Sequence, residues 1–196
     1  MRLVLRVLGI LVVGSAAFAQ NTALTAPRNL AQLSQQAATI VRGYVTSVRI
    51  EPHPQLANLT TVVVSLRVTQ SLKGNSGSVL TFRQFIWDIR DKYEAAGYRK
   101  GQDLLLLLNP VSTYGLTSPA GMDQGRFEIL RGPRGVPSAV NGYGNVGLFS
   151  NMSAQIPQAK SRLSQASSAL LVQHRNGPVP LTQLEELIQA FGGAGQ

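Results

Sequence analysis

The chain has two imidazoles, His53 and His174, and no cysteine. A zinc site needs three or four convergent nitrogen, sulfur or oxygen ligands. The two histidines lie far apart with no carboxylate at ligand spacing, so no metal is expected. A serine nucleophile would be marked by a Gly-x-Ser-x-Gly elbow, and none occurs. Gly142-Tyr143-Gly144-Asn145-Val146-Gly147 does match G-x-G-x-x-G. A dinucleotide fingerprint also requires a following helix and an acid ~20 residues on, and no acid stands between Glu128 and Glu185. This stretch therefore reads as a hairpin or loop, and no cofactor is expected. Paired carboxylates could cleave a glycosidic bond if they faced each other ~5–10 Å apart. Four of the nine acids lie between Asp88 and Asp103, interleaved with Arg90, Lys92, Arg99 and Lys100, which is the pattern of a solvated, self-paired surface. No catalytic residue is assigned, and the chain is read as not being an enzyme. A hydrolase in which His53 or His174 meets a serine or aspartate stays open as the alternative.

Phe82 to Lys100 offers a different chemistry. Phe82, Phe85, Trp87, Tyr93 and Tyr98 alternate with Arg83, Arg90, Lys92, Arg99 and Lys100. Aromatic faces beside cations stack on bases or sugars and neutralise phosphates, and small β-barrels use such strands and loops for oligonucleotides and oligosaccharides. The segment 88–101 is accordingly the candidate contact surface, with Trp87, Tyr93 and Tyr98 as anchors and Arg90, Lys92 and Arg99 as the accompanying cations. The competing reading puts Phe82 and Phe85 in the core, makes Trp87 the anchor of a long loop, and notes that Asp88, Asp91 and Glu94 would repel a polyanion. The overall charge of +9, or +7 without Arg2 and Arg6, permits attraction to a polyanion, although no dense Lys/Arg run concentrates it.

The first element bears on compartment. Met1-Arg2-Leu3-Val4-Leu5-Arg6 is basic, Val7 to Val13 is apolar apart from Gly9, and Ala17 and Ala19 are the small residues that precede a cleavage point. This is the order of a secretory signal peptide over residues 1–19, cleaved after Ala19. The apolar run is shorter than the ~20 residues that span a bilayer, so no membrane span is expected after cleavage. A cysteine-free exported chain fits a bacterial periplasm or exterior.

The remainder is expected to fold as one unit, with residues 20–36 holding a short N-terminal helix from about Pro27 to Gln36. Residues 37–150 read as strands. Ile40 to Ile50 is rich in β-branched and aromatic residues. From Thr60 to Thr69, Val62, Val64, Leu66 and Val68 alternate with Thr61, Val63, Ser65, Arg67 and Thr69, giving one buried and one wet face. Val79 to Trp87 follows. Leu104 to Leu108, between turn signals, reads as a central strand buried on both faces. Arg126 to Leu130 is another strand, Gly132 to Pro137 is irregular, and Tyr143 to Phe149 is a weak final strand. Residues 151–178 form a linker with a helix between Ala159 and His174. Residues 179–196 carry the clearest helix, Thr182 to Phe191. There Leu184, Leu187, Ile188 and Phe191 form one stripe, Thr182 and Glu185 make a capping box, and Gly192-Gly193 forms the stop. The expected fold is mainly β: a small antiparallel barrel with a short N-terminal helix, plugged by the C-terminal amphipathic helix.

Several stretches resemble a group of uncharacterised exported bacterial proteins. Ala37-Ala38-Thr39-Ile40-Val41-Arg42-Gly43-Tyr44-Val45 resembles their "A-D-x-I-V-x-G-x-V" opening. Leu66 to Gly74 resembles "V-x-x-x-L-K-G", Gly101 to Leu108 resembles "G-E-x-x-L-L-F-L", and Gln124 to Phe127 resembles "Q-G-K-F", in the same order over residues 37–130. The strand order is similar to the OB-like barrel of netrin-like modules and tissue inhibitors of metalloproteinases. Those inhibitors act through an N-terminal cysteine, which this chain lacks, so that mechanism does not carry over. The exported bacterial group carries no function over to this chain. The aromatic and basic residues of 82–100 are read instead as those of an exported, non-enzymatic binding or structural module of unknown ligand, whose partner is an envelope or extracellular protein or a glycan. The alternative is a basic OB-like protein with weak affinity for polyanions: glycan, nucleic acid or anionic lipid.

Overall fold

The structure, a computed structural model, describes residues 26–86, 92, 94–132, 135–152 and 156–192. The signal segment and the candidate residues Trp87, Arg90 and Tyr93 lie outside the described residues. The chain runs α1 (Leu30–Gln36), β1 (Thr39–Pro52), β2 (Thr60–Lys73), β3 (Val79–Phe85), β4 (Asp103–Leu108), β5 (Arg126–Arg131), β6 (Pro137–Asn141), α2 (Ile156–Ala159), α3 (Gln165–Gln173), β7 (Val179–Pro180) and α4 (Leu181–Gly192). The fold is mainly β, as the residue pattern predicts. One antiparallel seven-stranded sheet has the order β3-β2-β1-β4-β5-β6-β7.

The sheet is open, which departs from the expected closed barrel. Its edges are β3 and β7, and the two residues of β7 are too few to close a wall before the chain turns into α4. The β3 edge is covered in another way: the loop after β4 lays Leu116 beside Arg83, and Thr117 donates its amide to the Arg83 carbonyl at 2.9 Å. Covering an edge with a loop blunts it as a template for aggregation.

The sheet separates two cores, and β4 belongs to both. Leu105 and Leu107 face Leu30, Leu33, Phe127, Leu184, Leu187, Ile188 and Phe191 under the helices. Leu104, Leu106 and Leu108 face Val41, Val62, Val64, Leu66, Phe82 and Tyr98 on the other side. Five successive leucines are needed because successive side chains of a strand point to opposite faces and here both faces are dry. The β1–β2 hairpin bends to enclose the second core. Its 14-residue strands pair with register shifts at Ile40/Val41, Arg42/Gly43 and Val45/Ser47, and such shifts raise local twist and curvature. Gly43 sits at one of them. A Cβ there would lie 2.4 Å from the Arg67 carbonyl oxygen, so only glycine lets the two backbones approach this closely.

Three local expectations are corrected. The sixth strand is Pro137–Asn141, while Tyr143 to Phe149 is a run of turns. Pro137 is tolerated as the first strand residue, and five pairings to β5 hold a segment that its own propensity does not favour. Ser164, whose side chain accepts from the Ser167 amide, caps the helix of the linker, which therefore begins at Gln165. α4 begins at Leu181, which places Thr182 and Glu185 inside it. Glu185 faces Arg42 instead of closing a capping box.

Candidate functional site

The sheet face that carries α4 is not covered by it completely. Beyond Glu185, a cross-strand row runs from exposed Val79 and Arg67 through half-buried Tyr44 to buried Asp103, and its members follow from the register: Val79 opposite Arg67, Arg67 opposite Tyr44, and Tyr44 opposite Asp103. Residues paired across antiparallel strands share a face at close range, so four strands bring two ionisable groups and an aromatic ring into line. Arg67 stacks its guanidinium 5.7 Å from the centre of the Tyr44 ring, within cation–π reach. Arg131, arriving from β5, donates to the Tyr44 hydroxyl at 3.0 Å.

Asp103 holds the other side. Arg42 donates from Nε to Oδ1 at 3.3 Å and from Nη2 to Oδ2 at 3.1 Å, a two-pronged pair, and Arg131 approaches Oδ2 at 3.5 Å. The Asp103 side chain is 7 % exposed, Arg42 20 % and Arg131 57 %. The buried acid is thus spent on Arg42, while Arg131 remains at the surface. Arg67 is exposed and forms no ion pair among the described residues. The hydrogen bond to Asp103 holds the Arg42 guanidinium above its ordinary pKa, and burial works against that. Glu185 sits 3.9 Å from Arg42. Burial raises its carboxyl above the usual range, which the Arg42 charge and a hydrogen bond from Gln70 only partly offset. Its Oε1 is buried without a hydrogen bond. Electrostatically, the face presents exposed guanidinium groups around one aromatic ring, with the acids underneath.

Of the residues expected to make contact, Lys92 and Arg99 are exposed. The loop bearing Arg99 and the exposed Lys100 joins β1 next to Tyr44, because Gly101 N donates to the Val45 carbonyl at 2.8 Å and Val45 N donates to the Gln102 carbonyl at 2.9 Å. Tyr98 does not serve as a surface anchor. It is 2 % exposed, packs edge-on against Phe82 at 5.7 Å, and donates its hydroxyl to Gln84 at 3.0 Å. Arg126 covers its other side at 5.0 Å. Its burial pushes the phenol pKa up.

The remaining candidates fall elsewhere. His53 is buried. Its Nδ1 accepts from Gln55 N at 3.2 Å, which leaves Nε2 to donate to the Tyr114 carbonyl at 2.7 Å. His174 bonds the Gly177 carbonyl at 3.0 Å. Neither ring has a serine or carboxylate among its hydrogen-bond partners. Gly142 to Gly147 lies in the run of turns after β6, with Gly144, Asn145 and Gly147 at positive φ. No group of three or more His, Cys, Asp or Glu side chains among the described residues is placed to hold a metal ion. No helix of the described residues is long and apolar enough to cross a membrane. Sequence reasoning missed Arg42, Tyr44, Arg67, Asp103 and Arg131. The alternation that places Arg67 on the wet face of β2 is legible in the sequence, but the meeting of these residues depends on the register.

No family model matches the chain, and neither a curated protein nor a solved structure does.

Proposed function

We propose that the chain is an exported, non-enzymatic binding module whose ligand is an anionic polymer held on the Tyr44 face. The observation that carries this reading is the convergence of exposed Arg67 and Arg131 on Tyr44, with the balancing acid, Asp103, buried beneath them. Guanidinium groups offer forked donors to carboxylate, sulfate or phosphate, and an aromatic ring between them gives a sugar or base a surface to stack on. A polymer needs no deep pocket, because release of its condensed counterions supplies much of the affinity. Arg99 and Lys100 are exposed on the loop that pairs with Val45, the neighbour of Tyr44. The non-catalytic reading is supported by histidines committed to backbone carbonyls, and export by the signal pattern ending at Ala19.

The test is binding to immobilised heparin, a generic sulfated polyanion. Arg67→Ala and Arg131→Ala are each expected to weaken retention several-fold. Arg175→Ala, an exposed arginine bonded to backbone carbonyls beyond α3, should leave it nearly unchanged. Equal losses from all three variants would reject a localised face in favour of diffuse charge.

A further inference from the structure

A second feature lies apart from the Tyr44 face and shares no residue with it: a groove of about 460 Å³ between the start of α1 and the turns after β6. That volume is within the ~300–1,000 Å³ usual for small-ligand sites. Its floor is the buried amides of Asn29, Gln124 and Asn141, with the fully buried Asn145 behind them, each locked to the backbone. Asn145 donates to the Ala139 and Gly177 carbonyls at 2.9 Å each, and its oxygen accepts from Asn141 N at 2.9 Å. Asn141 accepts from Asn145 N and Tyr143 N and donates to the Gln124 carbonyl at 3.1 Å. Gln124 accepts from Arg28 N at 2.8 Å, and Asn29 donates to the Ser150 carbonyl at 3.0 Å. Asn145 holds a positive φ of 59° within this network. The floor is therefore preformed, and a ligand would meet it without an ordering cost.

The rim is chemically different. Gln32, Ser150 and Asn151 are exposed, Tyr143 is half-buried and Val146 is 66 % exposed, and all line the groove. The Tyr143 hydroxyl and the Asn151 amide have no hydrogen-bond partner among the described residues. Among the described residues no carboxylate and no lysine lines the groove, and the single cation among them, Arg28, is bonded to the Gln36 amide oxygen. Side-chain amides and hydroxyls each combine donor and acceptor capacity, which matches adjacent hydroxyl groups on a ring. The Tyr143 ring and Val146 offer apolar surface to its C–H face. A phosphate would find one engaged cation, and a purely apolar ligand would leave the Tyr143 hydroxyl and the Asn151 amide without partners.

We propose that this groove is a saccharide-binding site of one to two rings, with Tyr143, Gln32, Ser150 and Asn151 as its contact residues. The experiment is titration of the isotope-labelled full chain with di-N-acetylchitobiose, with cellobiose, and separately with trialanine, followed through backbone amide shifts. At least one disaccharide is expected to shift the Tyr143, Gly147 and Asn151 amides saturably. Tyr143→Ala and Asn151→Gly should each weaken that binding about tenfold; the glycine keeps the left-handed backbone at residue 151, where φ is 56°. The proposal is overturned if neither disaccharide moves these amides, if binding survives both substitutions in folded protein, or if trialanine binds there more tightly than either sugar.

Discussion

Replacing Asp103 with asparagine should make the protein less stable and a better polyanion binder at once. Asp103 is the buried acid beneath the Tyr44 face and takes three arginine contacts, two from Arg42 and one from Arg131. Breaking a buried pair costs about 3–5 kcal/mol when the partner is left uncompensated. Here the loss is smaller. Arg42 is 20 % exposed, Glu185 stands 3.9 Å from it, and the asparagine oxygen still accepts one bond. Hydrogen bonds to charged groups contribute about 1.5–3 kcal/mol, so a net cost of about 1–2 kcal/mol follows after allowance for solvent screening. Urea unfolding should report it as a lower midpoint at unchanged slope. The same substitution removes one negative charge and frees two guanidinium groups, so heparin affinity should rise and its salt dependence steepen by about one unit of log–log slope. An unchanged midpoint would refute the account of Asp103. A loss of affinity alongside the loss of stability would refute the assignment of the face.

Gly43→Ala should destabilise the fold by more than about 1 kcal/mol, because its Cβ would meet the Arg67 carbonyl at 2.4 Å; thermal unfolding checks this. Leu106→Ala, fully buried in the second core, should cost about 2–5 kcal/mol by urea denaturation. Tyr98→Phe leaves the Gln84 oxygen without its buried donor and should cost about 1–3 kcal/mol, with heparin retention intact because Tyr98 is not at the surface. Glu185 has a raised carboxyl pKa in the fold. Such a group favours folding below its unfolded pKa and loses that contribution as pH rises through the folded value. Glu185→Gln should therefore stabilise the protein at neutral pH, and the gain should fade as pH falls into the ordinary carboxylate range.

What the residues reveal by themselves is the part governed by period. The alternation of Val62, Val64 and Leu66, the unbroken leucines of β4 and the stripe of α4 each report which face is dry, and the structure buries them accordingly. What escapes is set by pairing. Pro137–Asn141 is a strand because β5 offers it partners, not because Ser138 and Asn141 favour one. Glu185 leaves the capping role because α4 starts earlier, at Leu181, which turns the carboxylate toward Arg42. Tyr98 looks like a surface aromatic among charges, yet the bend of the β1–β2 hairpin leaves a gap in the second core that its ring fills. The Tyr44 row was hidden for the same reason. Arg42 and Tyr44 lie on β1, Arg67 on β2, Asp103 on β4 and Arg131 on β5, and strand register, with its three shifts between β1 and β2, decides which of them meet.

The most direct measurement is the affinity for heparin across a salt series, for the native chain and for the Arg67→Ala/Arg131→Ala double variant. The native protein should give a straight log–log decline, and the double variant a weaker and shallower one, its slope reduced by nearly two. Parallel lines of equal slope, or binding insensitive to salt, would contradict an anionic ligand held by the arginines around Tyr44.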